Sequence, residues 1–452
     1  MNPQKNNMSV LAQISSWIPD RTPDNLAKKY KIQTRSFSPF SHVLAMVYAH
    51  LAHSLSLNDL CDDLRNHAGT LSQIRSCTPP SRNGLSHANR TRNADMAEEL
   101  FWSVYESLTK RHPEFLTSSR NYPGLPQRFR KSTIRAVDST TISLAANNIC
   151  WAKHTKQKAA AKMHTALNMR SFLPNYVIVK SAKDSDPKTA WELCSDMKAG
   201  EVVVFDKAYV DFKHLDKLNS RQVFWVTRAK ENMVYGVMGQ HVSGKSAANL
   251  VDERTEDAEN KREQTVTESP KVMGQHVSGK RRYRRKKCRI VSDERIELAG
   301  AQTKKHYKHP LRLITAKVKV KGKLTEMRFL TNNFDWSPFS VCQLYQCRWG
   351  IEVFFKEIKQ TLQLADFLGC NENAVRWQIW TALLAYLLLR FIAWHNRWKH
   401  HFSRLFTLLR AVLWNFFRLS SVIECCDTPR IRTIRIRGSP DSAYQPCFAG
   451  FE

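Results

Sequence analysis

Residues 133–144 read Thr-Ile-Arg-Ala-Val-Asp-Ser-Thr-Thr-Ile-Ser-Leu. Half of the run is β-branched, so it is expected to form a strand with Asp138 inside it. A basic stretch follows at 153–162 (KHTKQKAAAK) and reads as a loop, and residues 162–170 and 176–181 read as two further strands. A helix is expected over 186–197, with Pro187 in its first turn, where the missing N–H costs nothing. Glu201-Val-Val-Val-Phe-Asp206 then reads as a short buried strand that ends in a second acid. A helix over 211–218 and a strand over 222–227 complete the pattern. Three strands followed by helix, strand, helix, strand indicate an α/β fold: a mixed sheet with helices packed on it.

Around this centre the composition changes. Residues 1–125 read as helical, with an apolar-periodic run at 41–53 and a helix start at Ser56-Leu-Asn-Asp59. Thr78-Pro-Pro-Ser81 breaks the chain, and Arg82-Asn-Gly-Leu-Ser-His-Ala-Asn-Arg90 restarts it. Short helices with a polar, Arg- and Asn-bearing last member suit a helix-turn-helix module, and they suit a plain helical bundle equally well. The sequence is expected to divide into a helical unit at 1–125, an α/β unit at 126–365, and C-terminal helices with a basic tail at 366–452. Within the α/β unit, residues 231–335 depart from the alternating rhythm and read as a β-rich insertion. Residues 312–331 (RLITAKVKVKGKLTEMRFLT) look like a hairpin turning at Lys321-Gly-Lys323.

The chain carries 70 Lys and Arg against 40 Asp and Glu, a formal net charge of +30. Self-repulsion on that scale disfavours a compact chain, so a polyanionic partner is the natural explanation, although a generically basic protein is the alternative. The run Arg281-Arg282-Tyr283-Arg284-Arg285-Lys286-Lys287-Cys288-Arg289 places seven cations in nine residues and is a candidate DNA contact. The eleven cysteines are scattered and include no C-x-x-C pair, which argues against a disulfide framework or a zinc site. The start lacks a signal-peptide pattern. The apolar stretch 377–394 is long enough to cross a membrane, yet it contains Gln378 and Arg390 between basic flanks, as a buried helix of a large α/β protein does. The expectation is therefore a reduced, cytoplasmic protein with no membrane association.

The third acid lies in Val341-Cys-Gln-Leu-Tyr-Gln-Cys-Arg-Trp-Gly-Ile-Glu-Val-Phe-Phe-Lys-Glu-Ile-Lys-Gln-Thr-Leu362, read as one helix. At about 100° per residue, Tyr345, Arg348, Glu352 and Lys359 fall within an arc of roughly 60°. Leu344, Ile351, Phe355, Ile358 and Leu362 form a second stripe beside it, suited to packing on the sheet. Taken alone, the polar stripe is equally an exposed face on which Arg348 and Glu352 make an ordinary i,i+4 pair. Asp138 and Asp206 shift the balance. A carboxylate within or just after an apolar strand is desolvated, and burial is costly unless the group is paired or binds a cation. Two such acids on neighbouring strands, with Glu352 alongside, would offer the oxygen ligands that Mg²⁺ prefers. Two such ions stabilise the entering and leaving oxygens of an in-line displacement at phosphorus.

At these residues the sequence resembles the DD(E) transposases of the insertion-sequence 4 family, which have a ribonuclease-H-like catalytic core. The resemblance covers roughly residues 130–365. It rests on Val137-Asp138-Ser139-Thr140, on Phe205-Asp206-Lys207-Ala208-Tyr209 and on the spacing Tyr345-x2-Arg348-x3-Glu352-x6-Lys359. The family often has Asp-Arg-Gly-Tyr at the second acid, so Lys207 and Ala208 depart from it. The segment 224–232 (FWVTRAKEN) resembles the strand that closes the family's sheet before its inserted β-rich region.

The resemblance implies that Asp138, Asp206 and Glu352 hold two Mg²⁺ ions, with Mn²⁺ able to substitute, and that Tyr345, Arg348 and Lys359 contact phosphates of the transposon end. It implies hairpinned ends with a flipped base, for which Trp336 is a stacking candidate. It also implies terminal inverted repeats bound by the N-terminal helices, joining to target DNA, and a homodimer in the synaptic complex.

Two other functions compete. A catalytically inactive DNA-binding or regulatory protein of the same fold would keep the sequence features but not the chemistry. One feature suits a damaged copy: the nonapeptide VMGQHVSGK occurs at 237–245 and again at 272–280. A nucleic-acid-stimulated ATPase is suggested by Gly239-Gln-His-Val-Ser-Gly-Lys-Ser246, which matches the phosphate-loop pattern. The preceding residues are too polar and Gly-interrupted for the central strand such a loop needs, and the second copy replaces Ser with Arg281. The three acids and the complete Tyr-Arg-Glu-Lys series favour the active transposase.

Overall fold

In the computed structural model the described residues are 2–34, 36–117, 125–144, 153–155, 158–181, 186–240, 288–320, 323–364 and 371–425. Ten strands form one mixed sheet: β1 Ile134–Leu144, β2 Lys153–Thr155, β3 Lys158–Asn168, β4 Leu173–Ser181, β5 Val202–Phe205, β6 Phe224–Arg228, β7 Tyr235–Gln240, β8 Arg289–Leu298, β9 Leu311–Val320 and β10 Lys323–Thr331. β4, β3 and β1 are antiparallel neighbours, whereas β1, β5 and β6 run parallel. This is the ribonuclease-H-like mixed sheet, flanked by helices, that the resemblance implies.

Register and side-chain alternation decide what each face carries. Val137 lies level with Phe205 across the parallel β1–β5 pair, so the next residues, Asp138 and Asp206, fall side by side. Side chains alternate along a strand. Val137, Val203 and Phe205 enter the core under helices Asp186–Leu193 and Phe212–Ser220. Ile134, Ala136, Val202 and Val204 enter the opposite core, and Asp138 and Asp206 share their parity. Both acids therefore belong to the face covered by helices Pro338–Cys347 and Trp349–Lys356, whose Leu344 and Ile351 lie in that same core.

Three expectations need correction. The stretch 153–162 is not a loop throughout: β2 pairs with the start of β3, and Ala159–Ala161 pair with Leu144–Ile142, extending the hairpin. Nor does β6 close the sheet. Its second edge pairs with β10 (Phe329 with Arg228), and β9, β8 and β7 continue from there, so the described strands of the insertion extend the central sheet. Finally, the helix expected from Val341 onward starts at Pro338 under a Ser337 cap, breaks at Arg348, and ends in a π turn at Glu357–Thr361. A capping serine followed by proline at the first helical position explains the early start.

The apolar stretch 377–394 lies within helix Glu372–His395, capped by Asn371. It is long and apolar enough to cross a membrane, but it is buried against helices Pro39–Ala52, Asp95–Arg111 and Phe402–Arg410. Polar links join it to the N-terminal helices. Trp377 Nε1 donates to the Arg92 carbonyl (2.7 Å), and Asn373 Nδ2 donates to the carbonyls of Asn89 and Arg92 (2.9 and 2.6 Å). His42 packs its ring on Trp377 (centroids 4.3 Å apart) and meets Asn89 Oδ1 at 2.7 Å. Burial lowers the His42 pKa to about 3, which keeps the ring neutral. The exposed side of helix Arg82–Thr91 is thereby defined: Arg82, Asn83, Ser86, His87 and Arg90 face solvent, and Asn89 does not.

The insertion is tied to the site-bearing helix by one buried cation. Arg312 on β9 is fully buried, with Nε and Nη2 donating to Asp293 Oδ1 and Oδ2 (2.8 and 2.7 Å) and Nη1 to the Trp336 carbonyl (2.6 Å). Replacing Arg312 by Met would strand the Asp293 carboxylate and free the turn that leads into Ser337. A loss of about 3–5 kcal/mol is expected. Urea denaturation would read it as a lower midpoint at unchanged slope.

Candidate active site

Asp138 sits in β1 with its side chain 19% exposed, and it accepts from the Ser139 N–H at 2.8 Å. Burial pushes its pKa up to about 6. The Arg348 guanidinium and the Ser139 N–H work against that rise, while the carboxylates of Asp206 and Glu352 add to it. Asp206, one residue beyond β5, opens the short 3-10 turn Lys207–Tyr209 and accepts the Tyr345 hydroxyl at 3.0 Å. The Tyr345 ring is buried against Phe329, and burial raises its phenol pKa. The Glu352 side chain is 37% exposed, about twice as much as that of Asp138.

Arg348 joins the acids. Its Nη1 donates to Asp138 Oδ2 at 2.6 Å and its Nη2 to Glu352 Oε1 at 2.8 Å. The side chain is 13% exposed, and its Nε makes no hydrogen bond. Lys359, in the π turn, meets β1 two and three residues beyond Asp138: Nζ donates to the Thr140 hydroxyl (3.2 Å) and the Thr141 carbonyl (2.7 Å). Tyr345, Arg348 and Lys359 thus each reach β1 or the residue after β5 despite the helix break, and Glu352 joins them through Arg348. The second stripe also lies where a packing face must, with Leu344, Ile351, Phe355, Ile358 and Leu362 all buried.

Oxygen donors of this kind are chemically suited to Mg²⁺ or Mn²⁺. Among the described residues, however, no group of three or more Asp, Glu, His or Cys side chains stands close enough to hold a metal ion. What stands between Asp138 and Glu352 is the guanidinium of Arg348.

Other predicted positions lie elsewhere. Trp336 is buried, edge-on to Phe129 and Phe224 at 5.3 Å each, and its carbonyl caps Arg312. Arg281, Arg282, Arg284 and Arg285 lie outside the described residues, as do the second nonapeptide copy and most of the phosphate-loop match. Gly239 and Gln240 end β7, the exposed outermost strand, which is not the buried strand a phosphate loop follows.

Sequence reading missed two features. Trp349, between Arg348 and the Glu352 turn, is 56% exposed, and composition cannot separate an exposed indole from eleven others. The second is the anchor of the π turn: Glu357 pairs with Arg390 of helix Glu372–His395 at 2.5 Å, and Arg390 Nε donates to the Tyr386 hydroxyl at 2.9 Å. A lone arginine in an apolar helix was the available signal, since it requires a buried acid.

The fold and these residues define a class: a ribonuclease-H-like α/β protein with an Asp-Asp-Glu set on one face of its sheet. A family model described as the transposase DDE domain matches residues 129–388, more than half of the chain. The chain belongs to that family. Residues 6–74 match a second model, a domain of unknown function. A candidate transposase of Sinorhizobium fredii is 28% identical over 272 residues, covering 60% of this chain and 64% of that protein. A candidate insertion-sequence transposase of Geobacillus stearothermophilus is 28% identical over 265 residues, covering 59% and 58%. The chain therefore spans less than two thirds of the length of these two relatives. A transposase of a Bacillus thuringiensis insertion sequence is 21% identical over 396 residues, covering 81% of this chain and 75% of its own.

The Arg390–Glu357 pair offers a test of how Lys359 is held. Arg390→Met should cost about 3–5 kcal/mol by leaving a buried carboxylate unpaired, and adding Glu357→Leu should recover part of it. Thermal unfolding of the single and double variants would measure that coupling, and additive losses would show that the pair does not anchor the turn.

Proposed function

We propose that this chain is a DNA transposase that cuts the ends of an insertion sequence and joins them to target DNA, with Asp138, Asp206 and Glu352 as its catalytic acids. The observation that carries this reading is the β1–β5 register, which sets Asp138 beside Asp206 on the face that the Glu352 helix covers. The acids are the residues that would hold Mg²⁺ or Mn²⁺, which when bound supplies charge stabilisation to the entering and leaving oxygens at phosphorus.

The chain's own residues orient the DNA. Arg348 and Lys359 supply cations beside the acids, and Tyr345 supplies a hydroxyl donor, so a phosphodiester laid along this edge meets all three. Water bonds to phosphorus at the element end, and the severed strand leaves with a free 3′ hydroxyl. That hydroxyl then attacks the opposite strand, forming a hairpinned end and expelling the flanking strand. A second water reopens the hairpin, and the regenerated hydroxyl attacks target DNA. For a flipped base, the exposed indole of Trp349 is a better-placed surface than the buried Trp336.

The N-terminal helices would bind the terminal inverted repeats, with the exposed side of helix Arg82–Thr91 as their basic, polar face. The basic run at Arg281, Arg282, Arg284 and Arg285 would follow the phosphate backbone. Cutting two ends in concert calls for a homodimer in the synaptic complex. A protein acting on chromosomal DNA in this way would work in the bacterial cytoplasm, associated with the nucleoid.

The deciding experiment compares wild type with Glu352→Gln on a labelled duplex carrying the terminal repeat, in Mg²⁺ or Mn²⁺. Nicking by wild type, lost in the near-isosteric variant while DNA binding persists, is the expected result. If both proteins bind the end and neither cuts, an inactive DNA-binding protein is the better answer. Lys359→Ala should weaken binding across sequences and reduce the slope of log K against log salt by about 1, which a fluorescence-anisotropy salt series would measure.

A further inference from the structure

Each of the three acids is already engaged by a donor from the Pro338–Lys356 region. Tyr345 holds Asp206, and Arg348 holds both Asp138 and Glu352. A carboxylate oxygen that accepts a short guanidinium hydrogen bond cannot give the same lone pair to a divalent ion. A guanidinium lying between the two acids also repels such an ion directly. The absence of a convergent metal cluster among the described residues has a cause in this arrangement, because the space between Asp138 and Glu352 is filled by a positive charge.

The arrangement is not a complete solution for the arginine either. Arg348 is largely buried, yet its Nε has no hydrogen-bond partner, so one donor of a desolvated cation is unsatisfied. A phosphate offers a guanidinium two parallel charge-assisted hydrogen bonds. DNA entering the site would give Arg348 an alternative partner as metal arrives to take its place at the carboxylates.

We propose that Arg348 is an internal counter-cation that closes the acid cluster to divalent ions until a DNA phosphate draws it away, so that metal and DNA bind with positive linkage. The proposal rests on the reading of Asp138, Asp206 and Glu352 as the metal-holding acids. A purely structural role, in which Arg348 fastens the helix to β1, predicts a different result when it is replaced.

The test is Mn²⁺ binding to the full chain, followed by electron paramagnetic resonance of the free ion. It is carried out with and without an uncleavable terminal-repeat duplex, and binding by the duplex alone is subtracted. Wild type should bind Mn²⁺ weakly by itself and about 5- to 150-fold more tightly with the duplex, the usual span of a coupling between two ligands. Arg348→Gln should tighten Mn²⁺ binding in the absence of DNA and bring the duplex effect close to one-fold.

Unchanged or weaker Mn²⁺ binding in Arg348→Gln, with the duplex effect intact, would overturn the proposal and leave the acid assignment standing. Asp138→Asn is the control for that assignment. If it leaves all Mn²⁺ binding unaltered, the acid cluster is not the metal site and both readings fall. Should Arg348→Gln lose its fold by circular dichroism, the wild-type measurement still decides, since no tightening by the duplex is incompatible with the linkage.

Discussion

Everything at the site depends on the parallel pairing of β1 with β5 in a register that sets Val137 level with Phe205. One residue further on, the same register places two carboxylates next to each other at the margin of an apolar sheet. Burial raises the proton affinity of a carboxylate so placed, and the neighbouring acids add to it, as the upward shift at Asp138 shows. A pair of that kind persists in a folded protein only if positive charge is supplied nearby. In this structure a single stretch of helix supplies it through Arg348, while Tyr345 adds a neutral hydroxyl hydrogen bond to Asp206.

That helix is itself held from two directions. Its N-terminal part, Pro338–Cys347, packs across β5, β6, β10 and β8, so it rests on central strands and on strands of the insertion together. Arg312 ties the turn before it to Asp293 of β8. Its C-terminal end is fixed by Glu357 to Arg390, on a helix whose other side packs against the N-terminal helices. His50 from the N-terminal region reaches the same end, meeting the Leu362 carbonyl at 3.1 Å and the Gln378 carbonyl at 3.0 Å. The N-terminal helices, the covered face of the sheet and the long C-terminal helix consequently share one apolar core.

How much of this was legible in the sequence follows from the range of the interactions. Strands dense in β-branched residues, capping serines and the 3.6-residue period are local, and they marked the mixed sheet, the acids at strand positions and the polar stripe from Tyr345 to Lys359. Pairing partners are not local. Nothing in Phe224–Arg228 shows that its second edge is taken by Lys323–Thr331, about a hundred residues later, so the sequence alone suggests that the sheet closes there. The helix break at Arg348 has no Pro at the break itself to announce it, and Arg348 keeps helical backbone angles there. Trp336 lies two residues before the helix, where a stacking residue is expected, but Phe129 and Phe224 enclose it. Distance along the chain said nothing about exposure.

The insertion's continuation of the central sheet changes what it can do. An independent β domain would be free to move relative to the acids. Strands hydrogen-bonded in unbroken order from β1 to β7 transmit position instead, since a shift at β8 or β9 must pass through β10 and β6 to β5, which carries Asp206 at its end. Arg312 makes the coupling closer still, because its carboxylate partner is on the insertion and its carbonyl partner is at the entrance to the helix of Glu352. An edge strand presents unpaired backbone groups as well as side chains. The edge at β7 is exposed, so those groups stand open at the far end of the same hydrogen-bonded sheet whose β5 carries Asp206.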